Sequence, residues 1–135
     1  MDRHRITRRA AGAWLVALFA LIGTVAVQAQ APTVRLVIDY GDGAVKTFTE
    51  LPWKKGVTVL DAMNAAKAHP HPIDFAFTGS GATAFLTRID DLANQGSGAG
   101  KKNWQYWVNT GYGDRSFATF EVQASDVIFW RYVAN

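Results

Sequence analysis

The 135-residue chain is long enough for one domain, and its formal charge of +3 arises entirely within the first 29 residues. These residues carry four of the 14 Lys and Arg and one of the 11 Asp and Glu, so residues 30–135 contain ten of each. This balance argues against the basic surface of a nucleic-acid-binding protein. The absence of cysteine excludes disulfides and thiolate chemistry.

The N-terminus has the pattern of a secretory signal peptide. A basic segment within residues 1–9 precedes an apolar run over residues 10–27, and cleavage is expected after Ala29. This predicts a signal over residues 1–29 and one exported domain over residues 30–135. The protein is expected to be secreted or periplasmic and to meet a membrane only through its signal. The alternative is an uncleaved membrane anchor, because the apolar run is nearly long enough to span a bilayer.

A β-hairpin is predicted at the start of the exported domain. Apolar and polar residues alternate over residues 33–40, which is typical of a half-buried strand. Gly41-Asp42-Gly43 is a tight-turn sequence, and residues 44–50 are predicted to form the return strand.

One amphipathic helix is predicted over residues 58–68. Thr58 has the position of an N-cap, and Asp61 follows three residues later, where a capping box requires an acceptor. The helix should end before Pro70, because proline disfavours helical conformation at the preceding residue. We expect the helix to lie across the apolar face of the hairpin, using the side chains at helical spacing. These are Val59, Leu60, Met63 and Ala66.

Two histidines after the helix admit two interpretations. His69, His71 and Asp74 could bind a metal ion, because His-x-His is a recurrent ligand spacing. The same residues are also typical of a helix-terminating turn, with His69 near the negative end of the helix dipole. We favour the turn, because no third convergent ligand is evident.

A second hairpin and two loops follow. Residues 73–78 and 82–89 are short apolar-rich runs around a glycine turn, and they predict either a second hairpin or one strand with a bend. Asp90 and Asp91 are expected in a solvated loop, because neighbours on an extended chain point apart. Residues 95–102 are expected to form a flexible surface loop, because they lack the spacing of a phosphate-binding loop.

Aromatic strands dominate the C-terminal part of the chain. Side chains alternate over residues 101–109, which predicts a strand with aromatics on both faces. Residues 117–122 are a weaker strand candidate. Residues 127–133 are apolar on both faces, which predicts a central strand. In the first strand, Trp104, Tyr106 and Val108 alternate with Gln105, Trp107 and Asn109.

Hairpin, helix and further strands predict an α+β fold, and three segments carry a closer resemblance. VRLVIDYGDGAVKTFTELPWKKGVTVLDAMNAA, WQYWVNTG and ASDVIFWRY are similar to the exported family, largely of unknown function, related to the C-terminal domain of transcobalamin and intrinsic factor. The resemblance covers residues 33–133. It implies a β-grasp fold, with a mixed sheet of about five to six strands and one helix across it. In the animal proteins it also implies contact with cobalamin beside a larger helical domain.

The sequence departs from that family pattern at two turns. The family commonly has Asn-Gly after the valine, whereas here Asn109 is followed by Thr110 and Gly111. A glycine usually precedes the aspartate before the last strand, whereas here Ser125 takes that place. The helical domain of the animal proteins is absent from these 135 residues.

The function predicted from these residues is that of a monomeric, non-catalytic binding module without a resident cofactor or metal. Exposed aromatic rings suit a small planar ligand, cobalamin-like where the resemblance holds, or a partner protein. Trp104, Tyr106, Ile128 and Trp130 are expected in the core, whereas Trp53 and Trp107 fit the core and the surface equally well. The candidate ligand-binding residues are Trp53, Lys101, Lys102, Asn103, Trp107, Asn109 and Tyr112, with Phe117 as a further possibility.

Two other function classes remain open. A structural or assembly domain could pair with another chain through a sheet edge. A hydrolase is the least favoured, because no serine or histidine lies in a recognisable catalytic motif.

Overall fold

Strands and one α-helix build the part of the chain that the computed structural model describes, namely Gly23 and residues 30–135. The predicted signal peptide lies outside this part, apart from Gly23. The predicted α+β class is confirmed, and no described helix is long and apolar enough to cross a membrane. The elements are β1 (Thr33–Asp39), β2 (Val45–Pro52), α1 (Val59–Lys67), β3 (Phe75–Thr78), β4 (Phe85–Ile89), β5 (Leu92–Ala93), β6 (Lys102–Val108), β7 (Gly111–Tyr112) and β8 (Val127–Ala134).

The larger sheet has five strands in the order β2-β1-β8-β6-β7, so β8 lies at its centre. β1 and β8 are parallel, and every other neighbouring pair is antiparallel. The prediction that β8 is central is therefore confirmed. Its two faces are both apolar: Ile128 and Trp130 are buried on one, and Phe129 is half-buried on the other.

The second hairpin forms a separate sheet. Of the two interpretations of residues 73–78 and 82–89, the hairpin is the one observed: β3 and β4 are antiparallel, and β5 extends them to a three-stranded sheet. The expected mixed sheet of about five to six strands is present as the five-stranded sheet. The three strands of the second hairpin form another sheet, which the expectation of a single sheet did not include. Alternation of apolar residues indicates an extended segment but not its pairing partner. Phe75, Leu86 and Ile89 join the same buried core as the larger sheet.

The N-terminus of the helix is capped by neighbouring side chains and by backbone carbonyls that are distant in the sequence. The Thr58 backbone N–H donates to the Asp61 carboxylate at 2.9 Å, and the Thr58 hydroxyl accepts from the Asp61 N–H at 3.2 Å, which confirms the capping box. The N–H groups of Val59 and Leu60 donate to carbonyls of residues 117–120 at 3.0 Å each. These bonds satisfy donors that a helix leaves free at its N-terminus. The side chains buried towards the sheet are Val59, Ala62, Met63 and Ala66.

The predicted strand over residues 117–122 is wrong. Residues 117–119 form a turn, and only Glu121 makes an isolated bridge, to Thr58. The Ser116 carbonyl accepts from the N–H groups of Thr119 and Phe120 at 3.0 and 3.1 Å, which holds the turn closed. A strand would aim its carbonyls at a neighbouring strand, whereas this turn presents them to the N-terminus of α1.

Asp90 is not part of a solvated loop, contrary to expectation. Its carboxylate accepts from the Tyr40 hydroxyl, from the Asp74 backbone N–H at 2.9 Å and from Lys46 Nζ at 3.3 Å. It therefore ties the β1–β2 hairpin to the second sheet. Partial burial alone would raise its pKa, but these hydrogen bonds outweigh burial and hold the pKa below the usual value. Asp91 beside it is exposed, as predicted.

The glycine loop over residues 95–102 is on the surface, as predicted, and polar side chains fix its two ends. Gln95 Oε1 accepts from the Lys102 N–H at 2.8 Å, and the Gln95 N–H donates to the Lys102 carbonyl at 2.9 Å. The Asn103 amide bonds the backbone of Gly96 in both directions, at 3.0 and 2.9 Å. The loop is therefore closed at its base by side chains.

Candidate functional site

The two faces of the larger sheet differ in what covers them. Along β6, Trp104, Tyr106 and Val108 are buried beneath α1 and the second sheet, and we call this side the covered face. Gln105 and Trp107 point to the other side and are half-buried. No described helix or strand buries that side, which we call the open face. The alternation of side chains along β6 therefore places one set in the core and the other set on the open face.

Strand register aligns four side chains in a row across the open face. Val37 pairs with Phe129, Phe129 with Trp107, and Trp107 with Tyr112. Neighbouring strands lie about 4.8 Å apart, so the row crosses four strands over roughly 14 Å. Tyr112 ends the row and is 60% exposed. The row is long enough for a ligand of several fused or linked rings.

Arg131 adds a cation to this row. Its guanidinium carbon lies 5.2 Å from the centre of the Trp107 ring and 5.5 Å from that of Phe129. Such contacts are worth about 0.5–1 kcal/mol each at exposed sites. Trp107 also meets the Tyr112 ring at 5.4 Å and 76°, an edge-to-face contact. We call Trp107, Tyr112, Phe129 and Arg131 the aromatic platform.

The structure brings together two of the predicted ligand-binding residues, Trp107 and Tyr112. Lys101, Lys102 and Asn103 lie at the opposite end of β6, about 14–20 Å from Trp107 at 3.4 Å per residue. Both lysines are exposed. Asn103 is engaged with the backbone of the glycine loop. These three residues border that loop rather than the aromatic platform.

Asn109 and Trp53 have structural contacts of their own. Asn109 has φ of 55°, donates to the Asp126 carboxylate at 3.0 Å and accepts from the Val127 N–H at 3.0 Å. It thereby joins the end of β6 to the start of β8. Trp53 is half-buried beside β2, and its indole N–H donates to the Val122 carbonyl at 2.8 Å. Both side chains are therefore engaged in holding neighbouring segments together.

Phe129 and Arg131 belong to the platform but were not predicted as site residues. Both lie on the second face of β8, which the alternation of residues 127–133 already separates from Ile128 and Trp130. Because β8 pairs with β6 in the antiparallel register that sets Phe129 opposite Trp107, Phe129 and Arg131 lie on the same face as Trp107. Phe117 is buried against Trp130, with ring centres 5.6 Å apart, so it belongs to the core.

The histidines and serines of the described residues do not form a catalytic pair. His69 packs edge-on against Phe48, and its Nδ1 accepts from the His71 N–H at 3.1 Å. The Ser116 hydroxyl donates to the Ala84 carbonyl at 2.8 Å. Within residues 30–135, no serine is hydrogen-bonded to a histidine, and no group of three or more His, Cys, Asp or Glu is placed to hold a metal ion.

No family model matches the sequence, and no curated protein matches it. The geometry of the open face is therefore the basis for a functional proposal.

Proposed function

We propose that this chain is an exported, non-catalytic binding module that holds a small planar ligand on its aromatic platform. The observation that carries the proposal is the register that places Phe129, Trp107 and Tyr112 side by side on a face that no described element covers. Flat rings bury area with little loss of conformational entropy. The protein acts as a monomer and needs no cofactor of its own.

The platform favours a particular ligand shape and charge. Its length of roughly 14 Å suits a macrocycle or a fused ring system. Arg131 lies over two of its rings, and its guanidinium offers donors in one plane for an acceptor or carboxylate at the ligand's edge. Planar tetrapyrrole-like compounds with peripheral carboxylates combine both features, and corrinoids are the class that the sequence resemblance suggests.

The fold supports a β-grasp assignment as part of the same proposal. The β1–β2 hairpin is followed by one helix across the sheet, and β1 pairs in parallel with the last strand, β8. A mixed sheet with one helix across it is what the resemblance to the transcobalamin C-terminal domain implies. Membership of that family is proposed on the quoted segments together with this topology.

Assembly through a sheet edge is the alternative function, but the edge strands of the larger sheet are poorly suited to pairing with another chain. β2 is an edge strand that carries Lys46, a bulge opposite Val34 and Leu36, and Pro52 at its end. Lysines, bulges and prolines are features that prevent pairing at sheet edges. The other edge of the larger sheet, β7, is two residues long. Ligand binding on the open face is therefore preferred to edge pairing.

Tryptophan fluorescence of the purified protein tests the proposal. A panel of corrinoids, porphyrins with peripheral carboxylates and matched porphyrins without them is titrated against the protein. We expect saturable quenching at micromolar ligand, strongest for the carboxylate-bearing compounds. Trp107→Ala should weaken binding at least about tenfold, since it removes the central ring, worth about 1.4 kcal/mol or more.

Val133→Ala is the matched control, because Val133 is half-buried on the open face, opposite Asn103. It should leave the affinity unchanged. Arg131→Gln should remove the preference for carboxylates while binding of the neutral porphyrins persists. Absence of saturable quenching by every compound, or equal affinity of the Trp107→Ala variant, would refute the proposal.

A further inference from the structure

A cavity of about 370 Å³ lies where the two sheets meet, along the outer edge of β6. Three consecutive residues of β6 line it, namely Trp104, Gln105 and Tyr106. Consecutive side chains point to opposite faces of a sheet, so a cavity that touches all three borders the edge of the strand. β8 pairs with the other edge of β6 over these residues, which leaves the outer edge. The cavity also reaches Tyr112, so it adjoins the end of the aromatic platform.

Two backbone groups at this outer edge have no hydrogen-bond partner. The Trp104 N–H donates to Asn94 Oδ1 at 2.8 Å, and the Tyr106 carbonyl accepts from the Gly113 N–H at 2.8 Å, so both residues bond away from β8. The N–H and carbonyl of one strand residue point to the same edge. The Trp104 carbonyl and the Tyr106 N–H therefore also point outward, and among the described residues neither is bonded.

The side chain of Asn94 shows what kind of group fits between the two sheets. Its Oδ1 accepts from the Trp104 N–H, and its Nδ2 donates to the Leu86 carbonyl of β4 at 2.7 Å. A side-chain amide offers a carbonyl acceptor and an N–H donor, as a peptide group does. Asn94 thus bridges β6 and β4 as a peptide group of an intervening strand would. The cavity continues this space between the start of β4 and residues 104–106.

Two exposed aromatic side chains stand at the cavity, one on each wall. Phe85 of β4 and Tyr112 of β7 both line it, and each is 60% exposed. An apolar side chain placed between them would gain buried area. The charged residues in the lining, Asp114 and Arg115, bond each other at 2.9 Å, which favours an uncharged ligand. Trp130 also borders the cavity, but its indole N–H, unpaired among the described residues, is fully buried and out of a ligand's reach.

We propose that this cavity binds a short, uncharged, extended peptide segment that pairs with β6 through the Trp104 carbonyl and the Tyr106 N–H. An extended segment offers N–H and carbonyl groups along its edge at the spacing of a neighbouring strand. One apolar side chain of the segment lies between Phe85 and Tyr112. The volume is near the lower end of the range for ligand pockets, about 300–1,000 Å³, so the segment is short. The site goes beyond the planar ligand and shares only Tyr112 with the aromatic platform.

The peptide N-acetyl-Thr-Phe-Thr-amide is the probe. It is uncharged, and its residue types favour extended structure. It is titrated into the purified ¹⁵N-labelled protein, and the backbone amide signals are followed by NMR. We expect the Tyr106 amide proton signal to move downfield and to saturate at up to millimolar peptide, because that N–H gains an acceptor.

Two N-methylated versions of the peptide are the matched controls. One is methylated at the phenylalanine and the other at both threonines, so each lacks the N–H donors of one edge while keeping every side chain. At least one of them should bind at least about fivefold more weakly than the unmodified peptide, because the edge that faces β6 has lost its donor to the Trp104 carbonyl.

A pair of exposed apolar residues locates the site. Phe85 lines the cavity, whereas Val45, at the start of β2 and 54% exposed, does not. Phe85→Ala should weaken peptide binding at least about threefold through loss of the ring. Val45→Ala should bind the peptide as the native protein does. Neither residue belongs to the aromatic platform, so both variants should keep the native affinity for porphyrins.

Three results would overturn the proposal. The first is no saturable shift of the Tyr106 amide signal with the peptide. The second is equal affinity for the unmodified and both N-methylated peptides, because the backbone of the segment would then not pair with β6. The third is equal peptide affinity of Phe85→Ala and Val45→Ala, which would place the peptide elsewhere. None of these results depends on the porphyrin and corrinoid titrations at Trp107.

Discussion

The covered and open faces of the larger sheet carry the same kinds of side chain in different surroundings. On β6, Trp104 is 5% exposed and its indole N–H donates to the Leu92 carbonyl, whereas Trp107 is half-buried and its ring contacts Arg131 and Tyr112. They are three positions apart in the sequence. On the covered face, aromatic rings fill a core, whereas on the open face they form a surface with a cation over it.

This difference shows that aromatic content alone does not define a binding surface. What distinguishes the two faces is whether another element lies over them. α1 and the second sheet both pack on the same side of the larger sheet, so the other side is left to solvent or to a ligand. Matched changes on the two faces should therefore have different effects.

The largest difference should appear between two tryptophan deletions. Trp104→Ala creates a cavity in the core and should lower the free energy of unfolding by about 3–5 kcal/mol. Trp107→Ala removes a half-buried ring and its contacts, and should cost about 1–2 kcal/mol. Urea unfolding of both variants measures the difference. Equal losses would place Trp107 in the core and remove the distinction between the faces.

A second comparison uses two glycines of one short segment. A Cβ at Gly113 would lie 2.2 Å from Cζ of the Tyr106 ring, whereas a Cβ at Gly111 would meet only the Val108 carbonyl oxygen, at 3.6 Å. Gly113→Ala should therefore destabilise the protein by about 1–3 kcal/mol through overpacking of the covered face. Gly111→Ala should be nearly neutral. Thermal unfolding measures both, and a neutral Gly113→Ala would contradict the tight packing around Tyr106.

Acid should loosen the layer over the covered face before it affects the platform. The pKa of Asp90 is lowered in the folded state, so its contribution to stability is present above the unfolded value of about 3.9 and is lost as pH falls through the folded value. Near-UV circular dichroism and urea unfolding between neutral and acidic pH follow the loss. Asp90→Asn should flatten this pH dependence. An unchanged slope in that variant would show that another carboxyl group is responsible.

The smallest effect on stability is expected at Ser125, in the turn before β8, because this turn belongs to neither face of the sheet. Ser125 has φ of 70°, a left-handed conformation that costs a non-glycine residue about 1–2 kcal/mol. Ser125→Gly should relieve that cost, less about 0.5–1 kcal/mol of backbone entropy. A gain of at most about 1 kcal/mol in unfolding free energy is expected, with ligand binding unchanged. A loss of stability would mean that the serine side chain makes a compensating contact.

Elements with local signals could be predicted from the sequence. The Thr58 capping box, the Gly41-Asp42-Gly43 turn and the period of two in β6 each depend on residues close together in the chain. The turn at residues 117–119 could not, because its carbonyls bond to α1, more than fifty positions earlier. The contacts of Asp90 lack a local signal for the same reason, because its partners Tyr40 and Lys46 belong to the first hairpin.

The candidate site was predictable in part. Trp107 and Tyr112 follow from one strand and the turn after it. Their neighbours Phe129 and Arg131 come from β8, and only the register between β6 and β8 places them beside Trp107. The unpaired Trp130 N–H has no sequence signal at all, because it depends on which acceptors the surrounding layers bring within reach.

The central place of β8 also governs when the domain can fold during synthesis. β8 bonds to β1 on one side and to β6 on the other, and the ribosome makes it after every other element of this fold. A nascent chain that stops before Val127 therefore has two half-sheets and nothing to join them. We therefore expect such a chain to stay largely unfolded until translation has passed this strand.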